Sequence, residues 1–333
     1  MPMKKFINNP ENLTAELLEG YALAYGDKVK LTANRLVVRA TPKAAGKVGV
    51  VTLGGTGHEP ALSGFVGYGM LDVSVPGEIF AAPGPPRCLE ALKLADRGAG
   101  VLFIVLNHAG DVMSGNMAVQ MAQKQGVKVT MLLTHEDIAG GPRSQPENRR
   151  GLVGCLPVIK VAGAAAEAGK PLAEVARLAE KMNANMATLA VALRSATHPS
   201  TGQEIFTLPD DEMEIGMGQH GEAGTGRMKI KSADAVAETM LDMLLADLEA
   251  KKGDKLLVLL NGVGATTQME LYIVFRMVHQ LCAQKGLALA RARINEFLTV
   301  QEMAGFQMFL ARVDDEVLAQ WDAPADAPYF VVR

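Results

Sequence analysis

Two histidines occupy glycine-rich surroundings far apart in the chain, each with a carboxylate close by in sequence. In Gly216-Met-Gly-Gln-His220-Gly-Glu-Ala-Gly one imidazole lies among four glycines in nine residues, with Glu222 two positions on. In Gly54-Gly-Thr-Gly57-His58-Glu59-Pro60 a second imidazole directly precedes Glu59. Glycine weakens both helix and strand, so these runs are sharply bent loops whose backbone can approach something small. A neutral imidazole is a competent nucleophile and general base near neutral pH. Read singly, either loop is equally well a tight turn with a solvated histidine. Together they point to one site built from two distant pieces of chain. Glu59 and Glu222 are candidates for fixing the histidine tautomers, or are loop carboxylates in solvent. A third segment, Asn107-His108-Ala-Gly-Asp111, offers a carboxylate that either caps the following helix or faces that site.

These residues need a scaffold. Val48-Gly-Val-Val-Thr-Leu53 reads as a buried strand leading into the His58 loop, and Val101–Leu106 as a strand covered on both faces. Asn9 caps a first helix that starts at Pro10. A helix over 113–125 and a strand over 127–133 follow. The breaker-rich segment 140–151 reads as a long surface loop, of the kind that often carries function. A helical stretch over 152–182 breaks at Gly169-Lys-Pro171. In the second half, strands are predicted over 187–193, 254–261 and 307–313, and Met213-Glu-Ile215 leads into the His220 loop. Helices are predicted over 233–250, capped by Ser232, and over 269–285. Strand alternating with helix gives an α/β fold of two domains, 1–184 and 185–333, each a mixed, largely parallel sheet flanked by helices. In such a sheet ligands bind beyond the carboxyl ends of the strands, where the loops carry His58 and Asp111.

Composition narrows the class. The 333 residues carry 33 basic and 36 acidic side chains, a formal charge of −3, with 49% hydrophobic residues. No basic tract marks a nucleic-acid partner, and no apolar run approaches the ~20 residues of a membrane span. The polar N-terminus does not read as a signal peptide, and three scattered cysteines, Cys88, Cys155 and Cys282, suit a reducing cytoplasm. No His, Cys or carboxylate set has metal-ligand spacing, so no metal is expected. Gly216, Gly218 and Gly221 match a dinucleotide fingerprint only formally, because no helix follows, and there is no P-loop.

Taken jointly, several motifs resemble the dihydroxyacetone kinase family, specifically its ketose-binding K subunit. They are the His58 loop, Pro76-Gly-Glu-Ile-Phe80, Asn107-His-Ala-Gly-Asp111-Val, Arg150-Gly-Leu-Val-Gly, Gly163-Ala-Ala-Ala-Glu-Ala-Gly169, Met213 through the His220 loop, and Asn261-Gly-Val-Gly-Ala-Thr266. The resemblance runs nearly end to end. It implies a short-chain ketose held as a hemiaminal on His220, with His58 and Asp111 acting on the hydroxyl that receives phosphate. It places Gly55 against the substrate through backbone, with Thr56, Gly57, Leu106 and His108 also in the binding segments. It implies a homodimer with no cofactor of its own. The phosphoryl donor would be a separate helical nucleotide-binding subunit, using ATP with Mg or a bound ADP recharged by a phosphotransferase-system protein. One departure bears on specificity. Bacterial K subunits of this kind usually read Lys-Asn-Tyr-Thr-Gly-Asp where this chain has Leu106-Asn-His108-Ala-Gly-Asp111, which favours a four-carbon or branched ketose such as erythrulose. A non-catalytic paralogue that binds a ketose and regulates transcription is the competing reading. His135, His198 and His279 fall outside the motifs and are expected to be structural or at the surface.

Overall fold

The computed structural model describes residues 4–222 and 224–333. The chain enters through a 3-10 turn, Pro10–Asn12, which Asn9 caps by accepting the Glu11 N–H at 3.1 Å. It continues through α1 (Leu13–Ala24), β1 (Val29–Leu31), β2 (Val37–Arg39), β3 (Gly49–Thr56), β4 (Val73–Ile79), α2 (Pro85–Ala95), β5 (Val101–Leu106), α3 (Ala109–Lys124) and β6 (Val129–Thr134). The six strands form one sheet in the order β1-β2-β4-β3-β5-β6. β4, β3, β5 and β6 are mutually parallel, while β1 and β2 join antiparallel at one edge. β5 shows why it is apolar throughout. Leu102, Ile104 and Leu106 face one cluster, and Val101, Phe103 and Val105 face another formed with α2 and α3.

Next come α4 (Cys155–Glu167) and α5 (Leu172–Ala184), separated at the expected Gly169-Lys-Pro171 break. Every residue of α4 from Cys155 to Ala166 is buried, as in a helix with no solvent face. The reason is its place in the core. The cluster around it draws Val50 and Leu102 from the first sheet and Leu257, Leu259, Phe309 and Ala311 from the second.

That second sheet is built from β7 (Met186–Arg194), β8 (Glu212–Ile215), β9 (Gly226–Lys229), β10 (Lys255–Gly262), β11 (Ala288–Asn295) and β12 (Ala304–Arg312). Helices α6 (Ala233–Asp247) and α7 (Gln268–Gln284) cover its outer face. Ser232 caps α6 as expected, accepting the Ala235 N–H. The strand order is β11-β10-β12-β7-β8-β9. The α/β class and the mixed sheets stand, with one correction. In this sheet only β10 and β11 pair in parallel, and the other neighbours are antiparallel. Parallel neighbours need a long crossover, and β10–α7–β11 is the one unit here in which a helix joins adjacent strands. The chain then forms α8 (Asp315–Trp321) and the hairpin β13 (Ala325–Ala327) and β14 (Phe330–Val332). This last segment returns to the first half. Asp326 bridges to Tyr68, and Trp321, Ala325, Ala327 and Phe330 enter the same core as Val50 and Leu102. No helix among the described residues is long and apolar enough to cross a membrane.

The loop over 140–151 is a brace between the halves. Arg143 donates to the carbonyls of Ala184 and Met186 at 2.9 and 3.0 Å, and to the Asp247 carboxylate at 2.7 Å. Arg149, only 3% exposed, pairs with the same Asp247 of α6. Removing one partner of a buried ion pair leaves the other charge uncompensated. Asp247→Ala is therefore expected to lower stability by on the order of 3 kcal/mol, read as a lower urea midpoint at unchanged slope. Asp242→Ala, whose Lys285 partner is well exposed, should change the midpoint little.

Candidate active site

The parallel arrangement of β3 and β5 puts their carboxyl ends side by side. His58 follows β3, while His108 stands just before α3 and Asp111 lies in its first turn. His220 arrives from the second sheet, on the loop between the antiparallel strands β8 and β9. The two glycine-rich loops do meet. His58 Nε2 lies 3.1 Å from His220 Nε2. His58 and His220 line a small cavity of about 30 Å³ together with Gly55, Leu106, Asp111, Gln219 and Phe80.

Gly55 and Leu106 thus reach the cavity wall, whereas Thr56 turns away. Its hydroxyl contacts Thr14 Oγ1 and the Gly77 carbonyl, both at 3.2 Å, and it faces a separate groove of about 430 Å³ beside α1. Gly57 adopts φ +98°, and a Cβ there would lie 2.7 Å from the Phe80 ring, so the turn requires glycine. His108 stands on the other side of His220, with ring centroids 5.3 Å apart. Phe80 packs on His58 and His220 at 4.9 and 5.6 Å, and His198 meets Phe80 edge-on at 5.4 Å. His135 pairs with Asn183 away from the site, and His279 is exposed.

The hydrogen bonds settle some of the tautomers. His58 Nδ1 lies 2.8 Å from the Thr299 carbonyl, which can only accept, so the proton is on Nδ1 and Nε2 is an acceptor. Glu59 does not perform this role, because its carboxylate accepts the Gly57 N–H at 3.0 and 3.1 Å. Glu222 does face a histidine. It accepts the His220 backbone N–H at 2.8 Å, and its Oε1 lies 3.4 Å from His220 Nδ1. Sequence motifs gave no role to Arg150, yet it ties this loop to the first half. It donates to Asp137 at 2.7 Å and to the Gly216 carbonyl at 2.8 Å. A Cβ on Gly218 would lie 2.2 Å from Glu222 Oε2 and 2.3 Å from Arg150 Nη1, so a side chain there would displace the ends of both groups.

Burial divides the proton affinities. It pushes His58 down to about 3, with the neighbouring His220 adding to the effect. It likewise pushes His108 down to about 4. The Asp111 carboxyl moves the other way, up to about 7 through burial, with His220 working against the rise. Asp111 Oδ1 is buried with no hydrogen-bond partner among the described residues. Burial also raises Glu222, but its hydrogen bond to His220 and the charge there outweigh this and hold it well below the usual carboxylate range. One donor atom each from His108, His220 and Glu222 lie within 4.8 Å of one another, close enough to hold a metal ion. Spacing rules look for neighbours in sequence and pass over such a group, since its members come from two distant loops.

The chain is similar to known proteins along nearly its whole length. The Dak1 domain matches residues 19–329. The dihydroxyacetone-binding subunit DhaK of PTS-dependent dihydroxyacetone kinase 1 from Listeria innocua is 40% identical over 94% of this chain and 95% of its own length. The L-erythrulose kinase of Pectobacterium atrosepticum is 36% identical over 98% of this chain, which spans only 56% of that protein. Among solved structures, a dihydroxyacetone kinase operon co-activator, Dha-DhaQ, superposes with a TM-score of 0.90 at 30% identity, over 95% of this chain and 98% of its own.

Asp111 yields a test of sign. Its pKa is raised on folding, so burying the charged form costs stability. That cost is absent below the unfolded value of ~3.9 and complete above about 7. Asp111→Asn should therefore raise stability at pH 8 by on the order of 1–3 kcal/mol and leave it nearly unchanged at pH 4. Thermal melts of both proteins across this range check it.

Proposed function

The chain belongs to the Dak1 family, that of the dihydroxyacetone-binding subunits of dihydroxyacetone kinases, and on that footing we propose that it holds a short-chain ketose covalently on His220 for phosphorylation. The observation that carries the reading is the 3.1 Å approach of His58 and His220 on the wall of a cavity shared with Asp111. When an entering ketose breaks the Nε2 contact with His58, Glu222, facing Nδ1 of His220, favours the tautomer with the proton there and leaves the Nε2 lone pair free. Nε2 adds to the ketone carbon as the C=O π bond breaks; the oxygen takes a proton from solvent to become a hydroxyl, and the ring gives up its Nδ1 proton by way of Glu222, which leaves a neutral hemiaminal. A ketose is larger than the cavity of about 30 Å³, so its entry parts the two imidazoles. Covalent capture fixes the reacting hydroxyl, and such orientation is worth up to ~7–11 kcal/mol of barrier.

The transfer step needs a base matched to the working pH. Asp111, raised to about 7, is the better proton acceptor, and His58, lowered to about 3, orients the hydroxyl through Nε2. The phosphoryl donor comes from a separate helical nucleotide-binding subunit, carrying ATP with Mg or an ADP recharged by a phosphotransferase-system protein. The PTS-dependent Listeria relative supports the second route. The protein acts as a homodimer. Leu106 gives the cavity an apolar wall and His108 adds a polar group nearby, which favours a four-carbon ketose; the resemblance to an erythrulose kinase supports this. The co-activator similarity supports a second reading, a ketose sensor without transfer activity, but the retained His58 and Asp111 favour catalysis.

With carbonyl-labelled dihydroxyacetone, the ketone carbon resonance should move to the tetrahedral range on binding, and His220→Asn should lose this. A resonance that stays at the ketone or hydrate position with saturating protein rules out the covalent adduct. In a system reconstituted with the helical subunit, transfer should appear that the isolated chain lacks with ATP, and Asp111→Asn should lower it by roughly 10²-fold or more. Comparing kcat/KM for dihydroxyacetone and erythrulose in that system, with Leu106→Lys alongside, tests the preference. A tenfold or greater advantage for dihydroxyacetone, ~1.4 kcal/mol, that Leu106→Lys leaves unchanged removes Leu106 as its determinant.

A further inference from the structure

We propose that this site also binds a divalent transition metal, zinc in particular, through Nδ1 of His108, Nδ1 of His220 and the Glu222 carboxylate, and that the metal blocks capture of the ketose. His220 Nδ1 lies 3.4 Å and His108 Nδ1 4.0 Å from Glu222 Oε1, and one donor atom from each of the three residues falls within 4.8 Å of the others. Two imidazole nitrogens and a carboxylate, with a fourth position left for water, form a donor set that zinc uses in open sites.

The tautomers make the convergence meaningful. His108 Nε2 lies 2.9 Å from the Gly151 carbonyl, which can only accept, so Nε2 carries the proton and Nδ1 is bare. The Gln219 amide nitrogen is placed 3.0 Å from the same Nε2, which sets two donors face to face, while Gln219 Oε1 is buried with no partner among the described residues. Turning the amide over removes both conflicts and gives His108 Nε2–H a second acceptor. On the other ring, His58 Nε2 is an acceptor because Nδ1–H donates to Thr299, so the 3.1 Å contact is a hydrogen bond when His220 Nε2 carries the proton. In that tautomer His220 Nδ1 is bare as well. In the other tautomer Nδ1–H faces Glu222, so a cation bound here takes the place of that one proton and selects the tautomer with Nε2–H.

The surroundings fit. A metal-bound histidine normally donates its other N–H to a carbonyl, an amide or another acceptor, as both rings do here. Zinc–nitrogen bonds of ~2.0–2.1 Å in a tetrahedron set donor atoms ~3.4 Å apart. One pair already stands at that separation, and His220 and Glu222 lie on a loop whose Gly216 and Gly221 adopt φ +82° and +81°. The opposing charge is Arg150, whose guanidinium is held by Asp137 at 2.7 Å. With zinc on Nδ1, the Nε2 proton of His220 stays in place against His58, and no lone pair remains to add to a carbonyl. Metal binding rests on the geometry alone; the block rests on the ketose reading above.

The test uses the full chain stripped with a chelator and titrated with Co²⁺ in the absence of ketose. One equivalent should produce the intense visible absorption of four-coordinate cobalt, and Zn²⁺ should abolish it stoichiometrically. His108→Phe and Glu222→Gln should lose the signal, whereas His279→Ala should keep it, with thermal melts confirming that each variant is folded. Zinc should then suppress the tetrahedral carbon signal of labelled dihydroxyacetone, and chelator should restore it. No stoichiometric cobalt spectrum with the unmodified chain overturns the proposal without recourse to any variant. So does a spectrum that survives His108→Phe and Glu222→Gln, or a carbon signal that zinc leaves untouched. If cobalt binds and no labelled carbon moves with or without metal, the metal site stands and the covalent ketose reading fails.

Discussion

The contact between the Nε2 atoms of His58 and His220 is the constraint that the rest of the architecture serves. The two imidazoles come from different sheets, and a hydrogen bond of this length tolerates only a few tenths of an ångström of drift. Neither loop can meet that tolerance alone, since glycine gives each its bend at the expense of stiffness. Rigidity is supplied from outside. The Thr299 carbonyl fixes one ring, Glu222 accepts the backbone N–H of the other, and Arg150 ties the Gly216 carbonyl to Asp137. Behind these contacts lies α4, buried along nearly its whole length in a core common to both sheets. The sheets are thus held by close packing, which resists small displacements more stiffly than a surface contact would.

The same closeness explains the spread of proton affinities. Three imidazoles and two carboxylates crowd a space that has little room for water. Burial therefore acts on each group according to its charge, lowering His58 and His108 and raising Asp111. Glu222 escapes that trend because it has a partner in His220, whereas one oxygen of Asp111 has none among the described residues. A site arranged in this way stays ready for a ligand that supplies the missing partners.

Much of this was legible in the sequence, for physical reasons that differ from residue to residue. The two histidine loops stood out because glycine at that density has no place in a regular element. The caps at Asn9 and Ser232 were readable because capping is local chemistry. Other features were not local. β4 was hidden by Pro76 and Gly77, which a parallel strand accepts here near a register shift opposite Gly54 and Thr56. β11 alternates with exposed charges at an edge, and β1 and β2 are too short to carry a pattern. The antiparallel character of the second sheet depends on which strands become neighbours, which periodicity does not encode. Thr56 lies beside Gly55 and Gly57, yet its hydroxyl faces the opposite side of the strand, as alternation along a strand dictates. Arg150 and the grouping of His108 with Glu222 exist only once the two halves are together.

The C-terminal hairpin has a consequence for how the molecule comes into being. Trp321, Ala325, Ala327 and Phe330 lie in the same apolar cluster as Val50 and Leu102 of the first sheet. During synthesis the N-terminal strands emerge long before these residues exist, so that core stays open while most of the chain is still being made. Nascent chains must carry β3 and β5 with part of their apolar cover missing, a state that invites association with other chains or capture by a chaperone. Closure of the core, and with it the final seating of the His58 loop, waits until Trp321 to Phe330 have been made.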